Sequence, residues 1–443
     1  MLSGLLRRLP LAWAWRGLTS GSVVLFGALM FGNGVAYIYL MLVARVMSPG
    51  EYGALVTLTS TSYVLAVVMR TIQAWVVKAV SSAPGGGARR VPGLFLTALR
   101  ALVPVATVVL AGYWLASGWV ADFLHLDSAV PVIVLGLYSF SSFLVPVPRG
   151  VLLGLNRLQL AGAVHVVEDL ARLVGGLALV VLGLGVNGAL AGYAIGNVVS
   201  FALALIWLWP LLARHRGQAT QRDGLGGIDR YASVLLIANT CLMVMASVDQ
   251  IAVKHFFSDQ VAGNYAVAFL LGRVIVMSTV ALGWVVFTRS ATMPVADPRR
   301  LRLFATGLAV IGSIAAVLTA GYLVAPGLAI HLMGGSQYEF AADYVGLVGI
   351  EMTLFALVYV QAYYHISVKS MRIIWPLSLA VLLEISLLAT YHDTVQQILL
   401  SLIIVMGTLL VCVSAMSWWM LRAAGRSSRV AVRVSPETAT NTP

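Results

Sequence analysis

Charge is scarce in this chain: of its 443 residues only 10% are Asp, Glu, Lys or Arg, against about 25% in soluble globular proteins. A surface that poor in charge cannot meet water on every side, which excludes an ordinary soluble domain. Acids are scarcer than bases, 16 against 28, for a formal net charge of +12. The excess lacks the basic stripe interleaved with aromatics that marks nucleic-acid binding, so no nucleic-acid partner is expected. Cysteine is almost absent. Cys241 and Cys412 both fall inside apolar runs, which indicates neither a disulfide framework nor a cysteine-ligated metal site. No GxxxxGK[ST] loop occurs, so the chain has no P-loop with which to hydrolyse nucleotide, and it contains neither HExxH nor GxSxG. Its inter-span loops are too short for a catalytic domain.

What is abundant is apolar surface: 60% of residues are hydrophobic and the mean hydropathy is +0.94. A spanning helix takes about 20 mostly apolar residues, and the sequence predicts twelve, over 21–46, 52–80, 93–117, 129–153, 158–183, 188–212, 230–257, 261–287, 303–328, 338–366, 372–391 and 397–421. The fold class is therefore all-α integral membrane. Basic residues set the orientation. Arg7, Arg8 and Arg16 precede span 1, Arg89 and Arg90 follow span 2, and Arg149 and Arg157 flank the turn after span 4. Arg214, Arg216, Arg222 and Arg230 follow span 6, Arg289, Arg299, Arg300 and Arg302 span 8, Lys369 and Arg372 span 10, and Arg422, Arg426, Arg429 and Arg433 span 12. Both termini and all even-to-odd loops are expected in the cytoplasm. The N-terminal segment, with Trp13 and Trp15, reads as a retained cytoplasmic stretch rather than a cleaved signal.

Two turns show that the chain is doubled. "VARVMSPGEYG" begins at Val43 and "VKHFFSDQVAG" at Val253, an offset of 210 residues that pairs Ser48 with Ser258 and Gly53 with Gly263. The same offset carries the starts of spans 1–6 onto those of spans 7–12 to within a few residues. Six spans per half is an even number, so the halves share one orientation, a parallel repeat. The expected organisation is a cytoplasmic segment 1–20, a six-helix bundle 21–212, a cytoplasmic linker 213–229, a second bundle 230–421 and a basic tail 422–443. In the first turn, Ser-Pro-Gly stops one helix and Glu51 starts the next near its positive end.

Four stretches carry a family likeness: "ARVMSPGEYGAL" at the first turn, "GLGVNGALAGYAIG" from Gly183, "DQIAVKHFFSDQVAGNYAVA" from Asp249 and "MGGSQYEFAADY" from Met333. With their order in a twelve-span frame, the chain resembles the polysaccharide, or lipid-linked oligosaccharide, flippase branch of the multidrug/oligosaccharidyl-lipid/polysaccharide (MOP) exporter superfamily. The resemblance implies two six-helix bundles around a cationic cavity, moving an undecaprenyl-pyrophosphate type oligosaccharide between leaflets of a bacterial plasma membrane by alternating access. It also implies pathway partners, a polysaccharide polymerase and glycosyltransferases.

Each charge inside a spanning segment costs at least a few kcal/mol and is a functional candidate by default. Arg70 and Lys78 lie in span 2, and Arg273 lies in the equivalent span 8. A guanidinium suits the pyrophosphate that the resemblance implies, because its planar fork gives two parallel bonds. The structural alternatives are a lock to a buried carboxylate, or snorkelling, which Lys78 can do most easily. Span 5 holds "HVVEDLAR", in which His165, Asp169 and Arg172 share a face and Glu168 stands four residues before Arg172. Arg172 is a third candidate ligand, with Glu168 or Asp169 as its partner or as a proton carrier; the alternative is an internally neutral bridge. Asp249, Glu351 and Glu384 are single intramembrane carboxyls suited to H+ or Na+ coupling, although Lys254 stands near Asp249 as a competing partner. Gln73, Asn33 and Asn239 can meet sugar hydroxyls or bond neighbouring helices. No other cofactor is expected. A cation-coupled multidrug antiporter of the MATE type is the alternative, disfavoured by the cationic cavity. A membrane glycosyltransferase or polymerase using Asp122, His125 and Asp127 is a third reading, against which the repeat stands.

Overall fold

The structure is a computed structural model that describes residues 20–82, 91–214, 230–292, 298–368 and 370–434. The N-terminal segment with Trp13 and Trp15, Arg89, Arg90, Lys369, most of the 213–229 linker and the end of the tail lie outside these residues. The chain forms two compact units, Met1–Gly226 and Gly227–Pro443.

Unit 1 comprises α1 (Ser20–Val46), α2 (Pro49–Ser81), α3 (Val91–Leu115), the short α4 (Ser117–Phe123), α5 (Val130–Leu144), α6 (Pro146–Gly154), α7 (Leu158–Leu179) and α8 (Gly185–Arg214). Unit 2 comprises α9 (Arg230–Met245), α10 (Val248–Phe256), α11 (Asp259–Thr292), α12 (Pro298–Val324), the short α13 (Pro326–Met333), α14 (Ala342–Ser367), α15 (Ile374–Thr390) and α16 (Val395–Val434). No strand occurs among the described residues.

Among the described residues ten helices are long and apolar enough to cross a membrane, and α2, bent by 42° between Tyr63 and Leu65, makes an eleventh. The difference from the twelve expected spans lies in Leu158–Arg214, a single apolar stretch of 57 residues. It turns back on itself where Gly183 and Gly185 take φ of 90° and 47°, a backbone that side chains bearing a Cβ rarely adopt. Its two arms then pack antiparallel. A Cβ on Gly192 would stand 2.5 Å from the Gly176 backbone, and one on Gly196 would stand 2.7 Å from the Glu168 carbonyl.

Within each unit, successive spans alternate in direction. In unit 1, Gly150 and Gly154 of α6 sit against Val76 and Val80 of α2, so these two run parallel, as do α1 and α7, which meet at Ala28 with Gly162 and at Gly32 with Asp169. In unit 2, α12 and α14 run antiparallel through Thr319 and Gly349, whose carbonyl accepts the Thr319 hydroxyl at 2.9 Å. The cores are apolar: Val76, Phe95, Val151 and Leu208 in unit 1, Leu242, Phe355, Leu377 and Met406 in unit 2.

The repeat is finer than the span starts indicate. α1 ends at Val46 and α2 begins at Pro49; α10 ends at Phe256 and α11 begins at Asp259, the same bounds shifted by 210 residues. At the first turn Ser48 caps α2 by accepting from the Glu51 amide at 3.4 Å, while the Glu51 carboxylate accepts from the Ser48 amide at 3.0 Å, a reciprocal capping box. α4 and α13 are also equivalent, each a short helix after the third span of its unit. Two expected spans are broken. Span 4 divides at Val145, before Pro146 and Pro148, which remove amide donors. Span 7 divides at Ala246 and Ser247. The last helix continues past the expected end at 421 to Val434.

Candidate functional site

Unit 1 gathers its charges around α7. Glu168 and Asp169 are 7% and 2% exposed. Glu168 lies between two guanidinium groups: it forms an ion pair and hydrogen bond with Arg149 of α6, and its Oε1 stands 3.5 Å from Arg172 Nη2. Arg172 also reaches Asp169 at 3.1 Å, and Asp169 Oδ2 is 3.6 Å from His165 Nε2. The Arg172 guanidinium lies 4.5 Å from the centroid of the Tyr193 ring, and Tyr193 in turn contacts Tyr39 and Tyr138. Arg149 donates to Ser200 at 3.3 Å, while Asn197 bonds Ser141 and Ser142 at 3.0 and 2.9 Å. Two arginines thus balance two carboxylates. This network joins α6, α7 and α8, and α1 closes over it at Gly32, where a Cβ would stand 2.7 Å from Asp169 Oδ2. Arg149 is the member that sequence reasoning misses: in the sequence it flanks the turn after span 4, and its partner lies nineteen residues on, across a helix pair.

On α2, Val76 and Val80 face α6, while Arg70, Ala74 and Lys78, spaced by four, form an exposed stripe on another side. The Arg70 guanidinium and the Lys78 ammonium have no hydrogen bond or ion pair among the described residues; the Lys78 carbonyl accepts from the Ser81 and Ser82 hydroxyls at 3.3 and 2.7 Å. Gln73 is half-buried and Asn33 exposed. The structure therefore separates Arg172, held in an internal bridge, from Arg70 and Lys78, which are available.

Unit 2 holds carboxyls instead. Asp249, Glu351 and Glu384, on α10, α14 and α15, are 2%, 1% and 1% exposed and close enough for each to feel the others' charge. Asp249 Oδ2 accepts the Tyr265 hydroxyl at 2.6 Å; neither oxygen of Glu384 has a hydrogen-bond partner among the described residues. Lys254, expected to compete for Asp249, pairs with Asp259 across the turn into α11. The reason is geometric: its side chain reaches forward to the first residue of α11, where the chain reverses. Arg273 donates to the Ala246 carbonyl at 3.1 Å and the Ser247 hydroxyl at 3.4 Å, with its guanidinium 4.7 Å from the Phe269 ring centroid. It satisfies the carbonyl end of α9 at the break, two residues before Asp249. Asn239 accepts from the Tyr363 hydroxyl at 2.6 Å and so serves helix packing. Asp122, His125 and Asp127 lie at the end of α4 and just beyond it. Among the described residues no three His, Cys, Asp or Glu side chains converge as a metal site requires.

Residues 18–291, more than half of the chain, match the family model described as polysaccharide biosynthesis protein. No curated protein sequence matches. Solved structures share the fold. An inward-facing multidrug resistance MATE family transporter of the MOP superfamily aligns with a TM-score of 0.73 at 10% identity, over 89% of this chain and 96% of that one. The lipid II flippase MurJ, in an inward closed conformation, aligns with a TM-score of 0.66 at 11% identity, over 95% and 94%. A MOP superfamily transporter from Pyrococcus furiosus, described as having a binding pocket of reverse polarity, aligns with a TM-score of 0.55 at 12% identity, over 91% and 95%. The chain is a multi-pass membrane protein with the MOP transporter fold, and it belongs to the polysaccharide biosynthesis protein family.

Proposed function

We propose that the chain is a flippase that carries a polyprenyl-pyrophosphate-linked oligosaccharide across the cytoplasmic membrane by alternating access, for assembly of a cell-surface polysaccharide. The observation that carries this reading is the stripe of Arg70 and Lys78: two cations on an exposed side of a spanning helix, without a carboxylate partner among the described residues. Arg70, well inside the helix that ends at Ser81, is too costly to face lipid, and its guanidinium matches pyrophosphate oxygens. Family membership supports the same substrate class. Gln73 and Asn33 would meet the sugar. Arg172 and Arg273, both held within their own units, would act as secondary ligands. Polymerase and glycosyltransferases are the partners that such a pathway needs.

Asp249, Glu351 and Glu384 would couple transport to a cation gradient. They share electrostatic contact without converging on one point, which suits protons taken up separately better than one shared Na+. Glu168 and Asp169 are poorer carriers because Arg149 and Arg172 already balance them. The same carboxyls favour a second reading, a cation-coupled multidrug antiporter, and Arg70 discriminates between the two because it would repel a cationic drug.

The test is a proteoliposome assay of fluorescent polyprenyl-pyrophosphate oligosaccharide, scored by protection from an external quencher. Arg70→Ala is expected to lower flipping about tenfold, the value of one charge-assisted contact, while Arg70→Lys retains part of it. Equal rates for wild type and Arg70→Ala would remove the pyrophosphate assignment.

A further inference from the structure

We propose that unit 2 carries a binding site for an anionic phospholipid where α14, α15 and α16 meet at the membrane boundary. A cavity of about 600 Å³ lies there, lined by His365, Met371, Arg372, Met416, Trp419 and Met420 among others. That volume falls within the ~300–1,000 Å³ of ordinary ligand pockets.

The spanning segments locate the cavity in depth. The apolar run of α15 opens just after Arg372, and that of α16 gives way to Arg422 and Arg426 just past Met420, so the lining brackets the level at which hydrocarbon gives way to headgroups. Trp418 and Trp419 are 58% and 65% exposed, as aromatic side chains at that level commonly are. The ligand class follows from the lining. Met371, Met416 and Met420 form a wall of flexible thioethers that can accommodate an acyl chain, which a free phosphate or a soluble nucleotide would not use. Arg372 is exposed, stacks its guanidinium 6.0 Å from the Trp419 ring centroid, and has no carboxylate partner among the described residues. Its fork fits a headgroup phosphate, and its uncompensated charge favours a lipid of net negative charge over a zwitterion. The inner wall is closed by His365, 1% exposed, whose Nε2 stands 3.0 Å from Ser417 Oγ. This site uses none of the residues placed in transport above, so it stands or falls independently of that reading.

The test uses the full chain in nanodiscs of equimolar phosphatidylglycerol and phosphatidylcholine, extracted mildly, with retained lipid weighed by native mass spectrometry. Wild type is expected to retain phosphatidylglycerol over phosphatidylcholine about fivefold, the preference conferred by one arginine at a membrane surface. Arg372→Gln brings the ratio close to one and Arg372→Lys preserves most of it. Met416→Trp fills the cavity and lowers retention of both lipids, a result that loss of charge alone cannot give. Equal retention by wild type, or a ratio unchanged in Arg372→Gln, would overturn the site. Added polyprenyl phosphate that displaces phosphatidylglycerol at a lower concentration than phosphatidylglycerol itself would also overturn it, reassigning the cavity to a transported lipid.

Discussion

Glu168→Gln destabilises unit 1 by about 3–5 kcal/mol, the cost of breaking a buried ion pair from one side. Glu168 holds two arginines at once, Arg149 through its Oε2 and Arg172 through its Oε1, and all three side chains are less than one-fifth exposed. Removing its charge leaves Arg149 in an apolar bundle without a carboxylate, whereas Arg172 keeps Asp169. For a unit of this size the loss corresponds to a fall of about 10 °C in the unfolding midpoint, read by size-exclusion of heated, detergent-solubilised protein. Removing both charges together, as Arg149→Leu with Glu168→Leu, recovers most of the loss, because the expense lies in the orphaned arginine rather than in the missing bond. A Glu168→Gln variant as heat-stable as wild type would show that the network does not hold α6 to α7.

Neutralising the unit 2 carboxyls acts on transport instead. Coupling free energies of ~1–3 kcal/mol correspond to responses of about 5- to 150-fold, and a proton gradient is expected to accelerate the wild type within that range. Glu384→Gln, which preserves shape at a carboxyl with no hydrogen-bond partner among the described residues, abolishes the response while leaving equilibrium exchange across the bilayer. Asp249→Asn does the same and also weakens the Tyr265 bond that joins α10 to α11. A full response in Glu384→Gln and in Glu351→Gln would remove the coupling role from the cluster. A response to Na+ alone would replace the proton as the coupled ion.

The turns were legible because their chemistry is local. Ser48, Pro49 and Glu51 announce a capped helix start within four residues, and the same bounds recur 210 residues later. Pairings across helices were not legible. Nothing near Arg149 in the sequence points to Glu168, since the contact exists only once α6 folds back on α7. The break in span 7 was hidden for another reason: "MASVDQ" contains neither Gly nor Pro, and the carbonyl left open there is satisfied by Arg273 from α11. That interaction gives Arg273 a structural task which its place in an apolar run did not reveal. Short helices such as α4 and α13 escaped because seven or eight residues are too few to separate from a loop by hydropathy. The carboxyls of unit 2 were visible singly, as charges in apolar segments; their grouping required the packing of α10, α14 and α15.

Movement of a pyrophosphate-linked lipid by the chain is tested by comparing two cargoes in one preparation. Purified wild-type protein in liposomes is given fluorescent polyprenyl-pyrophosphate oligosaccharide and, separately, a fluorescent lipophilic cation, with each followed under an imposed proton gradient. Movement of the pyrophosphate lipid at about tenfold or more above protein-free liposomes, with Arg70→Ala lowering it, and no movement of the cation are expected. Transport of the cation, with the pyrophosphate lipid left in its original leaflet, would rule out the flippase and establish the antiporter.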